Sequence, residues 1–143
     1  MEPRSAVVAA YQRHAACRAD RDWRGLADCF AADARYFDPI FGWYEGREAI
    51  RDFLGTAMAG LGERVFTDVW HVIDGERLVL YWRCGLPGEP PPESGDRLYH
   101  GMSALVYAGQ GLWQEQMDIY DRNQARSSRS QVSTSDAGAQ STT

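Results

Sequence analysis

The stretch Ala31–Leu54, AADARYFDPIFGWYEGREAIRDFL, decides the fold. It predicts the end of a helix, a strand that finishes at Asp38, a glycine-punctuated loop and then a new amphipathic helix. Proline restricts the residue before it to extended conformations, so Asp38 should close the strand with a fixed backbone. Asp before Pro is also ordinary turn chemistry. Asp38 is therefore either a surface turn-former or a carboxylate in an apolar pocket.

Two helices are predicted upstream of this stretch. The first spans residues 3–18, and the helical spacing of Val7, Tyr11, His14 and Arg18 places His14 on the inward stripe. Asp22 can cap the second helix. Its predicted buried face consists of Trp23, Leu26, Ala27, Phe30 and Ala31.

Downstream, the pattern changes from helical to strand periodicity. The third helix should run from about residue 47 to residue 59 and stop at Gly60 and Gly62. Strands are predicted at 65–73 and 77–84, joined by the hairpin signal Asp74–Gly75. A second pair follows at 97–108 and 112–121. The intervening segment 85–96 carries four prolines, which predict a loop.

Three helices followed by meandering strands predict an α+β fold, with the helices on one face of a curved antiparallel sheet. The length of 143 residues favours one domain, which we place at residues 3–122. Residues 123–143 are rich in Ser, Thr, Gln and Gly, and are predicted to be a disordered polar tail.

Composition excludes several classes of function. A formal net charge of −5 favours neither a nucleic-acid partner nor an anionic membrane surface. No apolar run approaches a membrane span or a signal-peptide core. Cys17, Cys29 and Cys84 are widely spaced, with no CxxC signature, as expected of reduced thiols in a cytoplasmic protein. No metal-ligand spacing, glycine-rich phosphate loop or dinucleotide fingerprint occurs, so neither a metal nor a cofactor is expected.

The pattern D-A-R-Y-F-D-P followed by G-R-E-A-I-R-D-F-L resembles the nuclear transport factor 2-like superfamily, in its SnoaL-like and ketosteroid isomerase-like branch. The resemblance extends more weakly from Val7 to Arg122. It implies a cone-shaped, curved antiparallel sheet with three N-terminal helices. The superfamily includes ketosteroid isomerases, SnoaL-type polyketide cyclases, limonene epoxide hydrolases and scytalone dehydratases, so the fold is implied more specifically than the activity.

The resemblance to ketosteroid isomerases implies roles for three residues. Asp38 falls on the position of their general base, whereas His14 and Ser103 replace their two oxyanion donors. An apolar pocket that would tune such a base can come from Tyr36, Phe53 and Leu54. His14 is then either a core residue bonded to a neighbour or a proton donor that converges with Asp38 across the pocket.

The strand at 112–121 places Gln114, Gln116, Asp118 and Tyr120 on one face. Its sequence resembles limonene epoxide hydrolases, in which Asp118 would match a catalytic aspartate. Arg83 matches their arginine, but Gly85 stands where they need a second aspartate. The face with Asp118 either lines the pocket or meets solvent. Further candidate contacts to substrate are Tyr81, Arg83 and Tyr120.

These observations predict a cofactor-free acid–base enzyme, catalytic through Asp38, His14 and Asp118, that acts on a small, apolar, oxygenated ring compound as an isomerase, cyclase or dehydratase. The alternatives are a non-catalytic small-molecule-binding or dimerisation module and an epoxide hydrolase-like enzyme. We also expect a homodimer through the outer sheet face, because Trp70, Trp82 and Trp113 exceed the needs of one small core.

Overall fold

The computed structural model describes residues 2–88 and 99–125. None of the helices in these two ranges is long and apolar enough to cross a membrane. In chain order the elements are α1 Arg4–Ala19, α2 Trp23–Ala27, β1 Phe30–Asp38, β2 Gly42–Glu45, α3 Arg47–Ala59, β3 Val65–Asp74, β4 Arg77–Gly85, β5 Tyr99–Gly109 and β6 Leu112–Tyr120.

The strands form one curved, unclosed sheet in the order β2-β1-β6-β5-β4-β3. Neighbouring strands are antiparallel except β1 and β6, which pair in parallel. Helices α1 and α3 cover one face, here called the inner face: Tyr11 of α1 contacts His71 of β3, and Phe53 of α3 contacts Tyr36 of β1. The predicted α+β class, with three helices against a curved sheet, is confirmed.

Local signals set several of the boundaries. The Asp22 side chain caps α2 by accepting a hydrogen bond of 2.9 Å from the Gly25 amide. Helix α3 runs from Arg47 to Ala59 and ends at Gly60, as predicted. Strand β1 ends at Asp38, and the predicted hairpin at Asp74–Gly75 joins β3 to β4.

Two local predictions are wrong. Helix α2 ends at Ala27, so Phe30 and Ala31 belong to β1 rather than to a helical face. The Phe30 backbone is held by its pairing with Trp113 and by a 2.8 Å hydrogen bond from Arg47 Nε, and neither partner is close in sequence. The predicted loop after Asp38 contains the short strand β2, which folds back antiparallel onto β1.

The described structure continues past residue 122, the predicted end of the domain. Residues 122–125 form a helical turn, and Ala125 is completely buried. The rest of the predicted tail, residues 126–143, and most of the predicted proline-rich loop, residues 89–96, lie outside the described residues.

The sheet face opposite the helices, here called the outer face, exposes apolar side chains on several strands. Trp70 of β3 stacks on Tyr81 of β4 there. Of the three tryptophans expected in excess of the core, Trp82 and Trp113 are in fact buried within it, at 5% and 0% exposure. Only Trp70, which is 47% exposed, contributes to the outer face.

Candidate active site

A cavity with two adjoining lobes lies between the inner sheet face and the helices. The Asp38 lobe is lined by Asp38, Arg64, Tyr99 and Tyr120 among others, and the His14 lobe by His14, Arg18, Ser103 and Gln116 among others. Each lobe encloses about 40 Å³. Both are lined by Tyr36, Met58, Phe66, Trp82 and Asp118.

Asp118 of β6 lies at the junction of the lobes, and its carboxylate accepts hydrogen bonds from three side chains. Oδ1 accepts from Gln116 Nε2 at 2.9 Å and from Ser103 Oγ at 2.6 Å, while Oδ2 accepts from the Tyr36 hydroxyl. Burial raises the pKa of Asp118, with a further increase from the nearby Asp38 carboxylate, although the three donors oppose the shift. Asp118 is thus a fixed carboxylate whose proton affinity exceeds that of an ordinary aspartate.

Tyr36 connects Asp118 to Gln116. Its hydroxyl donates to Asp118 and accepts from Gln116 Nε2 at 3.2 Å. Burial and the adjacent Asp118 charge hold the pKa of Tyr36 well above its usual value. The side chain therefore remains a neutral phenol that can stabilise the ionised form of Asp118.

His14 is held at both ring nitrogens. Nδ1 accepts from Arg18 Nε at 3.0 Å, so the ring proton resides on Nε2 and is donated to Gln116 Oε1 at 2.8 Å. Burial and the charge of Arg18 lower the pKa of His14 to about 3. The ring is neutral and oriented. It lines a different lobe from Asp38, so the structure does not bring the two together as a proton donor and acceptor.

The chain of hydrogen bonds continues outward from His14 to β3. Arg18 donates to both Asp68 oxygens, at 2.5 and 2.8 Å, and the Tyr11 hydroxyl donates to Asp68 at 2.6 Å. Burial alone would raise the pKa of Asp68, but the bonds from Arg18 and Tyr11 lower it overall. Arg18, which makes both contacts, thereby connects the orientation of His14 to the docking of α1 on the sheet.

Asp38 combines both of the roles that its sequence context allows. Oδ1 accepts the backbone amides of Ile40 and Phe41 at 2.8 and 3.1 Å, which stabilises the turn after β1. Oδ2 accepts the hydroxyl of Tyr120 at 2.7 Å, and both side chains line the cavity. Asp38 is 5% exposed. It is a turn-former and a cavity carboxylate at once.

Ser103 lies between Trp82 and Asp118 and forms a hydrogen bond with each. Trp82 Nε1 donates to Ser103 Oγ at 2.9 Å, which leaves the serine proton for Asp118. Gly101 permits this arrangement, because a Cβ there would lie 2.5 Å from the Ile119 carbonyl and 2.7 Å from the Trp82 ring.

Of the predicted substrate contacts, Tyr36, Phe53, Leu54, Ser103 and Tyr120 line the cavity. Tyr81 and Arg83 do not, which corrects their prediction as substrate contacts. Their side chains alternate with the buried residues of β4, and the Tyr81 hydroxyl bonds His100 on the outer face at 2.8 Å. The match of Arg83 to an epoxide hydrolase arginine therefore has no counterpart in the geometry of the cavity.

The prediction omitted four polar groups of the cavity: Arg18, Arg64, Trp82 and Gln116. Signals existed for two of them. Arg18 lies one helical turn after His14, and Gln116 lies two residues before Asp118 on the same strand face. Nothing in the local sequence points to Arg64. Across the described ranges, no three His, Cys, Asp or Glu side chains converge as metal ligands would.

Residues 11–126 match the SnoaL-like domain family, and this chain belongs to that family. No curated protein matches the sequence significantly.

Solved structures of similar fold have low sequence identity to this chain. TerC, crystallised with polyporic acid, has a TM-score of 0.70 at 18% identity, over 87% of this chain and 98% of its own. A Kribbella flavida protein provisionally assigned as a ketosteroid isomerase has a TM-score of 0.64 at 19% identity, over 82% of this chain and 79% of its own. A Sinorhizobium meliloti protein provisionally assigned as a polyketide cyclase has a TM-score of 0.60 at 16% identity, over 77% of this chain and 93% of its own. At these identities the likeness shows the fold alone.

Proposed function

We propose that this protein is a cofactor-free acid–base enzyme, an isomerase, cyclase or dehydratase that acts on a small, apolar, oxygenated ring compound. The observation that carries the proposal is Asp118, a buried carboxylate fixed by three donors at the junction of two cavity lobes. A base with a raised pKa is better matched to neutral pH than an ordinary carboxylate. The provisional assignments of the two bacterial structures support the same reaction class by analogy.

In this proposal Asp118 removes a proton from a substrate carbon next to a carbonyl and returns it later in the reaction. Tyr36, Ser103 and Gln116 hold the carboxylate in place, and they stabilise its ionised form before the proton moves. His14 has a different role from the predicted one: it orients the Gln116 amide and is not itself an acid or a base. Asp38 and Tyr120 form a second carboxylate–phenol pair in the same cavity.

The walls of the cavity determine the substrate class. Phe53, Phe66 and Trp82 supply aromatic surface, and Met58 lines both lobes. At roughly 10–15 Å³ per water, each lobe holds only a few water molecules. A ring substrate would therefore occupy both lobes and displace the adaptable Met58 side chain.

The base can be tested before the natural substrate is known, with 5-nitrobenzisoxazole as the probe. A carboxylate removes its ring C–H proton, the electron pair forms a nitrile, and the N–O bond breaks to release a coloured nitrophenolate. We expect wild-type protein to accelerate this reaction. The Asp118→Asn variant should lose about a hundred- to ten-thousand-fold in rate, because the amide cannot take up the proton.

Asp52→Asn, which changes an exposed aspartate outside the cavity, is the matched control and should leave the rate unchanged. The wild-type rate should rise with pH through a pKa above that of an ordinary aspartate, because the ionised form is the base. The free energy of unfolding of Asp118→Asn should stay within about 1 kcal/mol of wild type, since relief of carboxylate desolvation offsets a weakened bond to Tyr36. Full activity in Asp118→Asn would refute the acid–base mechanism and favour a binding module.

A further inference from the structure

Arg64 is a buried arginine in the Asp38 lobe that the acid–base proposal does not use. It immediately precedes β3, is 2% exposed and lines the same lobe as Asp38 and Asp118. Its Nε and Nη2 atoms are buried, and no group in the described ranges accepts a hydrogen bond from either. A charged donor that is removed from water without an acceptor is costly, and an acceptor from a ligand or an ordered water would relieve that cost.

The two unpaired atoms belong to the same edge of the guanidinium. Nε–H and the adjacent Nη2–H point in parallel directions, and together they match the two oxygens of a carboxylate. The carboxylates of the same lobe are bonded elsewhere: Asp38 to Tyr120 and to backbone amides, and Asp118 to Tyr36, Ser103 and Gln116. The unpaired edge of Arg64 is thus a fork with no carboxylate from the described chain. Because both nitrogens are inaccessible in the free protein, a ligand carboxylate reaches them only when lining side chains such as Met58 move.

The backbone that carries Arg64 is held in place from outside the cavity. Arg21 Nη2 donates to the carbonyl of Gly62 at 2.7 Å and to the carbonyl of Arg64 itself. The Arg64 amide donates to Leu61 at 3.3 Å, which closes the turn that leads into β3. A fork that starts from a fixed backbone loses little entropy when it binds, as recognition of a ligand requires.

We infer that the ligand of this cavity is a small ring acid, whose carboxylate binds the Nε–Nη2 edge of Arg64 while the ring contacts the aromatic walls. The inference rests on the proposed function only in naming that acid as the substrate. It adds an anionic group to a substrate class defined so far by apolar contacts and by Asp118. Arg64 is accordingly the residue that would distinguish a ring acid from its neutral analogues.

The test compares an acid with its neutral isostere. Naphthalene-2-carboxylate and naphthalene-2-carboxamide are titrated by calorimetry into wild type, Arg64→Met, Arg64→Lys and the control Arg35→Met, which changes an exposed arginine paired with Glu45. Wild type and Arg35→Met should bind the acid about tenfold or more tightly than the amide, which corresponds to the loss of one charged bond. Arg64→Met should lose this preference while it retains amide binding. Arg64→Lys should show an intermediate preference, because it keeps the charge but not the fork.

Thermal unfolding provides a second readout that needs no ligand. If the Arg64 edge is unpaired in the free protein, Arg64→Met should unfold at the same temperature as wild type or higher, because it removes a costly buried charge. A clear drop in midpoint would mean that the edge is paired within the folded chain and would overturn the inference. Equal affinity of wild type for acid and amide would also overturn it, whether both bind or neither binds.

Failure of the proposed chemistry can be told apart from failure of this inference. Asp118→Asn should keep the preference for the acid, since Asp118 does not bond Arg64. If that variant also keeps full activity on 5-nitrobenzisoxazole while the Arg64 results hold, the cavity is a ring-acid binding site without the proposed proton transfer. If the Arg64 preference is absent while Asp118→Asn is inactive, the enzyme acts on neutral rings.

Discussion

His14 is the middle link in a chain of hydrogen bonds that runs from Asp68 on β3 to Asp118 on β6. Arg18 donates to its Nδ1 and Gln116 accepts from its Nε2, so both nitrogens are occupied when the ring is neutral. A second proton would reside on Nδ1 and face the Arg18 guanidinium. The protein therefore stabilises one tautomer of one protonation state, and that tautomer fixes which way the Gln116 amide points.

This arrangement predicts a pH dependence of stability. The pKa of His14 is lowered from 6.5 to about 3, so between these values the unfolded chain binds a proton that the folded chain does not. The contribution of neutral His14 to the free energy of unfolding is complete above pH 6.5. As the pH falls from 6.5 towards the lowered pKa, this contribution is lost at about 1.4 kcal/mol per pH unit. Urea unfolding of wild type at several pH values should show this slope.

The matched variant for the His14 prediction is His14→Gln. Glutamine can still accept from Arg18 and donate to Gln116, but it does not titrate. We expect its free energy of unfolding to depend less on pH than that of wild type, by about one proton between pH 6.5 and the lowered pKa. Nitrogen NMR at neutral pH should find the wild-type ring protonated at Nε2 alone. Equal slopes for the two proteins would show that His14 takes up its proton in the folded state.

The sequence predicts those site residues whose signals are local, and it does not predict those whose positions depend on distant parts of the chain. The inward position of His14 follows from helical spacing. Strand alternation, in contrast, leaves open whether the face that carries Asp118 lines the pocket, and the resemblance to limonene epoxide hydrolases is what singles Asp118 out. Alternation could not distinguish the two faces of β4, because the strand has large residues at successive positions, and this ambiguity explains the prediction of Tyr81. The prediction of Arg83 came from the resemblance to epoxide hydrolases, which the geometry of β4 does not follow. The position of Arg64 depends on a turn held by Arg21, which lies 43 residues away in sequence. No local pattern records such a contact.

At the scale of elements, α1 is docked on the sheet through a charged pair rather than through apolar contacts alone. The Arg18 and Asp68 side chains are 12% and 25% exposed, and they are joined by two hydrogen bonds. We expect Asp68→Asn to lower the free energy of unfolding by about 1–3 kcal/mol, because Arg18 would keep its charge and lose its partner. Chemical denaturation checks this value.

The exposed pair Arg35–Glu45 is the control for this prediction. Its side chains are 46% and 66% exposed, so Glu45→Gln should change stability by no more than about 0.5 kcal/mol. Asp68→Asn should also lower the rate with 5-nitrobenzisoxazole through the altered orientation of His14 and Gln116. A variant as stable as wild type would mean that α1 is held mainly by its apolar stripe.

Elements with strong terminal signals were predictable, and elements defined by partners were not. Helix α3 has glycine at its end, and the β3–β4 hairpin has Asp74–Gly75 at its turn. Strand β2 has only four residues, and its pairing with β1 is what makes it a strand. Register shifts around Trp113 place both Trp113 and Gln116 inside, three residues apart, where strict alternation would separate them.

At the scale of the whole molecule, the outer sheet face predicts association. Trp70, Val72 and Ile119 are 47%, 56% and 54% exposed, and Met102 lies on the same face. An exposed apolar face of this kind marks an interaction surface. We expect a homodimer through it, with a dimer mass in light scattering at micromolar concentration, and we expect Trp70→Glu to give a monomer.

A matched variant separates this prediction from a general loss of surface hydrophobicity. Phe41 is 51% exposed but lies in the turn after β1, beside α3. Phe41→Glu should therefore leave the dimer mass unchanged. A monomer mass for wild type would contradict the predicted interface, and dissociation by both variants would place it elsewhere.

The position of β6 in the sheet has a consequence for how the chain is made. It is the sixth strand in sequence but lies between β1 and β5, and its Asp118 bonds Tyr36, which is 82 residues earlier. At roughly 5–20 residues per second, a ribosome needs several seconds to pass from one to the other. Throughout that time β1 has only β2 as a strand partner, and although α3 can already cover its inner face, the edge that later pairs with β6 stays open. The nascent chain therefore cannot complete its core until the strand that carries Asp118 has emerged.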